Sequence, residues 1–517
     1  MASASIFHHG PLQQQVEAEV CVIGGGIAGL TTAYQLVQDG CDVVLIDAGE
    51  LGCGETGRTT AHFFPPDERY FEIERLFGTA TAALVADSYR AATDRVESIV
   101  GSEHIDCEFE RLDGYLFALG TDGYPVLDKE LAAARRAGVD VSKVVKVPGL
   151  PFDSGPTLRF ERQAQFHPLK YLNGLAQAVV GRGSRLFTHT RALQIEGNGG
   201  KRTVLTNCGQ VHANSVVVAT NTPFNNRVVM HTKQAAYRTY VIGVEVPRNS
   251  VPRVLMWDIG NPYYYIRLET PDPQAAHDIL IVGGGDHKVG QDEHPEHRYA
   301  AIEAWVRGRY PMAGAVRHRW SGEVMEPADG LAYAGRNPMD DRNVYIITGD
   351  SGNGMTHCTA GAMLVADLIA GRGNPWAEIY DPGRKVTRGV SEFIREQANT
   401  LSQYRDWFTG GEVESVHEVG IEQGAILRNG AKKIAVYRDQ DGWVHAVSAK
   451  CSHLGCIVAW NSAEKSWDCP CHGSRFDLNG EVLHGPAMHA LEPVSLNNQD
   501  DQPIPVEQPV EGRPDVR

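Results

Sequence analysis

The chain of 517 residues has no apolar run approaching the roughly 18 residues of a membrane span. It has no cluster of lysine and arginine, and 64 acidic against 48 basic residues give a formal charge of −16. That balance argues against nucleic acid or an anionic membrane surface as a partner. No internal repeat or low-complexity tract interrupts it, and 42% apolar with 22% charged residues is the composition of a globular protein able to bury a large core. The first residues, Met-Ala-Ser-Ala-Ser-Ile-Phe-His-His, lack the basic start, apolar core and twin arginine of export signals, so the cytoplasm is the expected compartment. Six of the ten cysteines (Cys21, Cys41, Cys53, Cys107, Cys208, Cys358) stand singly, unlike a secreted disulfide framework.

The other four stand together. Cys451-Ser-His-Leu-Gly-Cys456 is followed by Cys469-Pro-Cys-His-Gly-Ser474, giving four cysteines and two histidines in two loops. A zinc ribbon would use four N/S ligands and leave two groups over. A binuclear iron centre with two thiolates on one iron and two imidazoles on the other fits the repeated Cys/His layout better. On these motifs, residues from about 411 to 507 resemble a Rieske domain, and the extra cysteines resemble the high-potential kind of respiratory cytochrome bc complexes. The resemblance implies that Cys451 and Cys469 hold one iron, that His453 and His472 hold the other, and that Cys456 and Cys471 form a disulfide, for which their Cα atoms must come within roughly 7 Å. In the respiratory kind the second loop continues Gly-Ser-x-Tyr; here it reads Gly473-Ser474-Arg475-Phe476. One hydroxyl donor is missing, which implies a potential below the respiratory range.

At the front, Glu19-Val-Cys-Val-Ile23 reads as a strand, Gly24-Gly-Gly26-Ile27-Ala28-Gly29 as a tight turn and Leu30 to Gln38 as a helix. A second strand, Asp42 to Ile46, ends at Asp47-Ala48. This is a dinucleotide fingerprint in context: Gly24 for the turn, Gly26 for close approach of a pyrophosphate, Gly29 for helix packing and Asp47 for a ribose hydroxyl. Three further stretches favour FAD. They are the loop Gly52 to His62, with Arg58, Thr59 and Thr60; the strand Asn214 to Thr220, ending in Ala219-Thr220; and the strand–turn–helix from Asn343 to His357, with Asp350, Gly352, Asn353, Gly354, Met355 and Thr356. The last helix, from about Met355 to Ala370, presents its positive end to the flavin C2 carbonyl.

Together with Trp320 to Gly335, these pieces resemble, over about residues 18 to 385, the D-amino-acid oxidase, glycine oxidase and sarcosine oxidase group. The whole chain is similar to bacterial D-amino-acid-dehydrogenase-type flavoproteins with a C-terminal Rieske domain. The implied fold is a discontinuous Rossmann-like α/β FAD domain with an inserted α+β substrate domain (18–385), a helical linker (386–410), an all-β Rieske domain (411–507) and a tail (508–517). No cysteine lies in 320–335, where relatives attach flavin, so FAD is expected to be noncovalent; the alternative attachment is His62.

Helices are expected over Ile73 to Val100 and Tyr124 to Ala137, and strands over Ala236 to Val246 and Tyr263 to Leu268. In that last strand the two-residue period places Tyr263, Tyr265 and Arg267 on one face. Relatives hold a substrate carboxylate with Arg and Tyr, which makes Arg267, Arg238, Tyr240 and Tyr265 candidates, with His62 packing near the flavin. His294 and His297 flank Pro295 in a polar stretch that reads as a solvated loop rather than an iron site. The expected activity is oxidation of a C–N bond of an amine or amino acid, electrons passing from FAD to the cluster and on to an external one-electron carrier. Three readings stand beside it: electrons entering through the cluster from a reductase, an oxygen-using oxidase with a structural cluster, and a redox sensor.

Overall fold

The computed structural model describes residues 9–66, 69–197, 200–225, 230–271, 274–292, 294–338, 340, 343–385, 398–400, 402–407 and 409–496. They divide between two units, one bounded by Met1–Lys288 and His297–Ala398, the other by Val289–Glu296 and Asn399–Arg517. Most of the expected linker helix and the whole expected tail lie outside the described residues. Seven α-helices occur among those described: α1 (Ile27–Gln38), α2 (Tyr70–Phe77), α3 (Thr79–Ser102), α4 (Tyr124–Arg136), α5 (Pro168–Gly181), α6 (Glu296–Arg309) and α7 (Gly354–Ile369). None is long and apolar enough to cross a membrane.

The first unit contains an eight-stranded sheet whose main path runs Tyr333–Arg336, Val344–Thr348, Gln210–Val218, Val16–Ile23, Val43–Ile46, Arg185–Phe187. Val16–Ile23 lies at its centre, parallel to both neighbours. Its outer half alternates buried and exposed residues, while Val20 to Ile23 are buried throughout, as a strand covered on both faces must be. Helices α1 and α7 supply one cover, their Leu30, Ala33 and Tyr34 sharing a core with Leu364 and Val365.

A nine-stranded sheet forms the rest of this unit. Its main path runs Val316–Pro327, Gln234–Pro247, His277–Lys288, Tyr264–Glu269, Leu255–Asp258, Glu110–Phe117, Thr157–Gln165, His62–Phe63. The helix expected from Ile73 is broken in two: Gly78, at φ +89°, ends α2 and starts α3.

From α4, the buried Glu130 reaches the start of α2 and accepts the Tyr70 and Phe71 N–H groups at 3.1 and 3.2 Å. Burial pushes its carboxyl up to about 7, against the pull of those two donors. A carboxyl whose folded pKa lies above its unfolded one contributes most stability below about 4.5 and loses it as pH rises to about 7. The loss is on the order of 3 kcal/mol. Urea unfolding of wild type, followed by flavin fluorescence, should therefore weaken between pH 5 and 8, while Glu130→Gln should flatten that dependence; equal slopes would show that Glu130 does not carry it.

The second unit holds two antiparallel sheets. Gln423–Asn429, Lys432–Arg438 and Val444–Ser448 make a three-stranded sheet; Ala459–Asn461, Ser466–Asp468, Arg475–Phe476 and Val482–His484 make a four-stranded one. Its core gathers Trp467, Phe476, Ala487 and Leu491 around Cys451, Cys456, Cys469 and Cys471.

Candidate functional site

In the first unit, the turn after Val16–Ile23 is shaped by contacts that leave no room for side chains. A Cβ on Gly29 would lie 1.8 Å from the Gly24 carbonyl oxygen, and one on Gly24, itself at φ +112°, 2.4 Å from that of Ala219. The end of Gln210–Val218 is thereby locked against the turn, which brings Ala219 and Thr220 to it. Asp47 accepts the Gly25 N–H on one oxygen at 2.5 Å and the Gly49 N–H on the other at 2.8 Å. Burial pushes the Asp47 carboxyl up, opposed by these two donors. Thr56, which sequence reasoning passed over, accepts the Ile27 N–H at 3.1 Å and so caps the start of α1.

Farther along the same loop, the Arg58 guanidinium donates to the Ser321 carbonyl and the Trp320 indole donates to the Arg58 carbonyl at 2.7 Å. Thr59 accepts the Ala61 N–H, and the Thr60 hydroxyl meets His62 Nδ1 at 2.9 Å. At the start of α7, the Asp350 carbonyl accepts from both Asn353 N–H and His357 Nδ1. His357 therefore carries its proton on Nδ1 and accepts the Tyr89 hydroxyl on Nε2 at 2.8 Å. The N-cap Asn353 makes no side-chain cap; its carbonyl accepts the Thr356 and His357 N–H groups, and Gly354 and Met355 begin the positive end of α7. These features suit FAD: the glycine turn would take the diphosphate and the Asp47 carboxylate would lie toward the ribose.

Alternation along Tyr264–Glu269 falls as the sequence predicts. Tyr263 and Tyr265 share one face, where the Tyr265 hydroxyl meets Thr239 at 3.0 Å and the Tyr263 hydroxyl donates to Asp286 at 2.8 Å. The edge of His62 meets both Tyr265 and Phe64 with ring centres 5.6 Å apart. Burial, then the nearby Arg267 charge, pushes His62 down to about 3, so the ring is neutral. Arg267 is only 1% exposed and is paired with Glu269 at 2.9 Å.

Tyr240 and Arg238 lie apart from this group. With no register break between Arg238 and Tyr240 against Val316–Pro327, both share the face of Gln234–Pro247 opposite Thr239. There the Tyr240 hydroxyl meets His287 at 2.9 Å and its ring meets Tyr299 of α6, while Arg238 donates to the Ser321 hydroxyl at 2.5 Å. Thr239 and Asp286 join the site without a sequence signal of their own; only cross-strand register brings them in.

In the second unit the two loops converge. The His453 and His472 rings lie edge to face with centres 5.0 Å apart. Cys456 and Cys471 form a disulfide with Cα atoms 6.4 Å apart. The sulfurs of Cys456, Cys469 and Cys471 lie within 4.8 Å of one another; with two of them bonded together, Cys469 alone of the three is left for a metal. The Cys469 thiol donates to Cys451, whose pKa it lowers, and the Ser474 hydroxyl and the His453 and Leu454 N–H groups point to the same sulfur. The Cys471 and His472 N–H groups point to Cys469, whose own ionisation beside Cys451 is strongly opposed. Two adjacent sulfurs, each ringed by donors yet unable to ionise together, are a place for cations. Burial pushes His472 down to about 4, leaving the neutral imidazole a metal ligand must be. Phe476 is fully buried among these groups. Phe476→Tyr is expected to raise the cluster midpoint, within the span of roughly −150 to +300 mV open to such centres, in a spectroelectrochemical titration. An unchanged or lower value would mean that the added hydroxyl does not reach sulfur.

Residues 19–368 match the FAD dependent oxidoreductase (DAO) family and residues 410–496 the Rieske [2Fe-2S] domain. The chain is 29% identical over 493 residues to YhfW of Bacillus subtilis (strain 168), named for a Rieske 2Fe-2S iron-sulfur protein, covering 94% of this chain and 95% of that one. It is 25% identical to gamma-glutamylputrescine oxidoreductase of Escherichia coli (strain K12), over 70% of this chain and 85% of the relative. Among solved structures, glycine oxidase from Geobacillus kaustophilus shares the fold with a TM-score of 0.61 at 17% identity, over 72% of this chain and 100% of that one. The chain thus belongs to the FAD dependent oxidoreductase family, an oxidoreductase with FAD in its first unit and a Rieske [2Fe-2S] domain at its C-terminal end.

Proposed function

We propose that the chain is a dehydrogenase that oxidises a C–N bond and delivers the electrons, through a cluster held by Cys451, Cys469, His453 and His472, to an external one-electron carrier. One observation carries this reading: a two-electron and a one-electron centre share a single chain, and the likeness to YhfW spans both. Bound FAD would accept a hydride and give its electrons up singly, which is the step a one-electron cluster can use.

The chain's own residues bind and orient. Gly24 to Gly29 and the start of α1 take the diphosphate; Asp47 and Ala48 take the ribose; Arg58, Thr59, Thr60, Ala219, Thr220, Asp350 and Gly352 to Thr356 enclose the rest, noncovalently. The neutral His62 and the Tyr265–Thr239 pair would line the substrate side of the flavin and exclude water without adding charge.

Arg267 is already neutralised by Glu269, and Arg238 shares the Tyr240 face of its strand. A substrate α-carboxylate would share the Arg267 charge with Glu269, which weakens its hold and favours an amine over an α-amino acid. The name of the E. coli relative, a putrescine derivative, points the same way.

Anaerobic titration with a panel of amines and amino acids tests this. Bleaching of the flavin by an amine, followed by appearance of the reduced-cluster EPR signal, is expected. Stoichiometric peroxide under air with an idle cluster would replace the reading with an oxidase, bleaching only by a reduced carrier would reverse the direction of flow, and no response to any amine or amino acid would sink it.

A further inference from the structure

The loops 451–456 and 469–474 are held from outside the Rieske match. Residues Val289–Glu296, which sequence reasoning reads as a solvated loop between His277–Lys288 and α6, belong to the second unit. Val289 is buried, and a Cβ on Gly290 would lie 2.9 Å from both the Asp468 carbonyl oxygen and the Pro470 nitrogen. The strap therefore lies main chain to main chain against the start of the second loop. Next to it the Gln291 side chain donates to the Pro470 carbonyl at 3.1 Å. The same amide donates to Asn399 Oδ1 at 2.8 Å and accepts from Asn399 Nδ2 at 3.1 Å, a reciprocal pair.

Asn399 begins the segment that serves the first loop. A few residues on, the Tyr404 hydroxyl donates to the Leu454 carbonyl at 3.1 Å and the Trp407 indole to the Gly455 carbonyl at 2.9 Å. Both rings pack on the core that contains Cys451, Cys456, Cys469 and Cys471. Residues 291, 399, 404 and 407 all precede residue 410, where the Rieske match begins.

We propose that Gln291, Asn399, Tyr404 and Trp407 form a brace that sets the spacing of the two ligand loops, and so tunes the potential of the cluster and its retention. All three anchors to the loops are main-chain carbonyls, at Pro470, Leu454 and Gly455, each next to or two residues from a ligand. The brace fixes where the loops stand without contacting the metals, and these are positioning residues. The Cys456–Cys471 disulfide joins the loops at one point; the Gln291–Asn399 pair joins the two arms at a second, and cutting it leaves the disulfide alone to hold their spacing. The inference rests on the reading that these loops hold the cluster.

The test uses the full-length holoprotein, comparing wild type, Gln291→Leu, Asn399→Leu, their double variant, and the exchange Gln291→Asn with Asn399→Gln. FAD per chain, EPR g values, midpoint potential and the rate of iron loss to a chelator are read for each. Each single variant should keep its FAD, show altered g values and a shifted potential, and lose iron about fivefold faster, the scale of one lost hydrogen bond. The double variant should resemble Gln291→Leu, which by itself already loses both the Asn399 link and the Pro470 anchor, while Asn399→Leu, which loses only the link, should be the milder. The exchange should recover much of the wild-type signal. Wild-type g values, potential and iron loss in both single variants would overturn the brace. A wild-type protein with iron but no histidine-ligated EPR signal would instead overturn the ligand assignment beneath it.

Discussion

Replacing His472 with alanine should remove the histidine-ligated EPR signal and cut turnover with acceptors that draw on the cluster by at least about 100-fold, the upper end of losses seen for groups that merely support a metal ligand. The ring stands 5.0 Å from His453, is held neutral by burial and comes from the loop that also supplies Cys469. Without that imidazole, the iron that His453 and His472 would share would lack one of its ligands. The first unit has its own sheets and cores, so FAD content and anaerobic bleaching by substrate should persist. Stopped-flow bleaching beside steady-state turnover separates the two halves of the reaction. Turnover at the wild-type rate would show that electrons leave the flavin by another route.

A comparable loss is expected at the other cofactor from Gly29→Val. The added Cβ would enter at 1.8 Å from the Gly24 carbonyl oxygen, with the Val22 side chain 3.3 Å away on another side. Backbone cannot yield there without opening the turn against Ala219. Overpacking of this kind costs about 3 kcal/mol, which corresponds to more than about 100-fold weaker FAD binding if spent wholly on the turn. The absorbance ratio of flavin to cluster in purified protein reads this directly, with iron per chain as the control that the second unit is folded. Gly26→Ala, which meets only the Thr56 hydroxyl at 3.0 Å, should lose less. Full FAD content in Gly29→Val would mean that the turn is not where the diphosphate lies.

Chemistry written in contiguous residues was legible in the sequence. The Gly24 to Gly29 turn stands between the expected strand and helix because backbone conformation there depends on glycine and its immediate neighbours. The face shared by Tyr263 and Tyr265 is a matter of two-residue period, and it too could be read locally. What could not be read depends on partners distant in sequence. Glu269 neutralises Arg267, a reach of two residues along one strand, but burial of the pair follows from sheet packing that no local pattern announces. Register across His277–Lys288, where Gly283 leaves room for the Tyr265 ring, decides that Thr239, not Tyr240, meets Tyr265. His294 and His297 are exposed, as the polar stretch predicts, but Gln291 at its start is not simply solvated: its amide is satisfied by residues more than 100 positions away, at Asn399 and Pro470.

The disulfide has a consequence for how the protein matures. Four cysteines permit three pairings, and Cys469 lies within 4.8 Å of both Cys456 and Cys471. Before iron arrives, an oxidant therefore meets a choice, and joining Cys469 to either neighbour would occupy a thiolate that the cluster needs. Were Cys451 and Cys469 to take iron while the loops are still reduced, as the ligand set proposed above has it, only Cys456 and Cys471 would be left to oxidise. A metal bound first would then act as the protecting group for its own ligands, steering the crosslink to the pair seen in the structure.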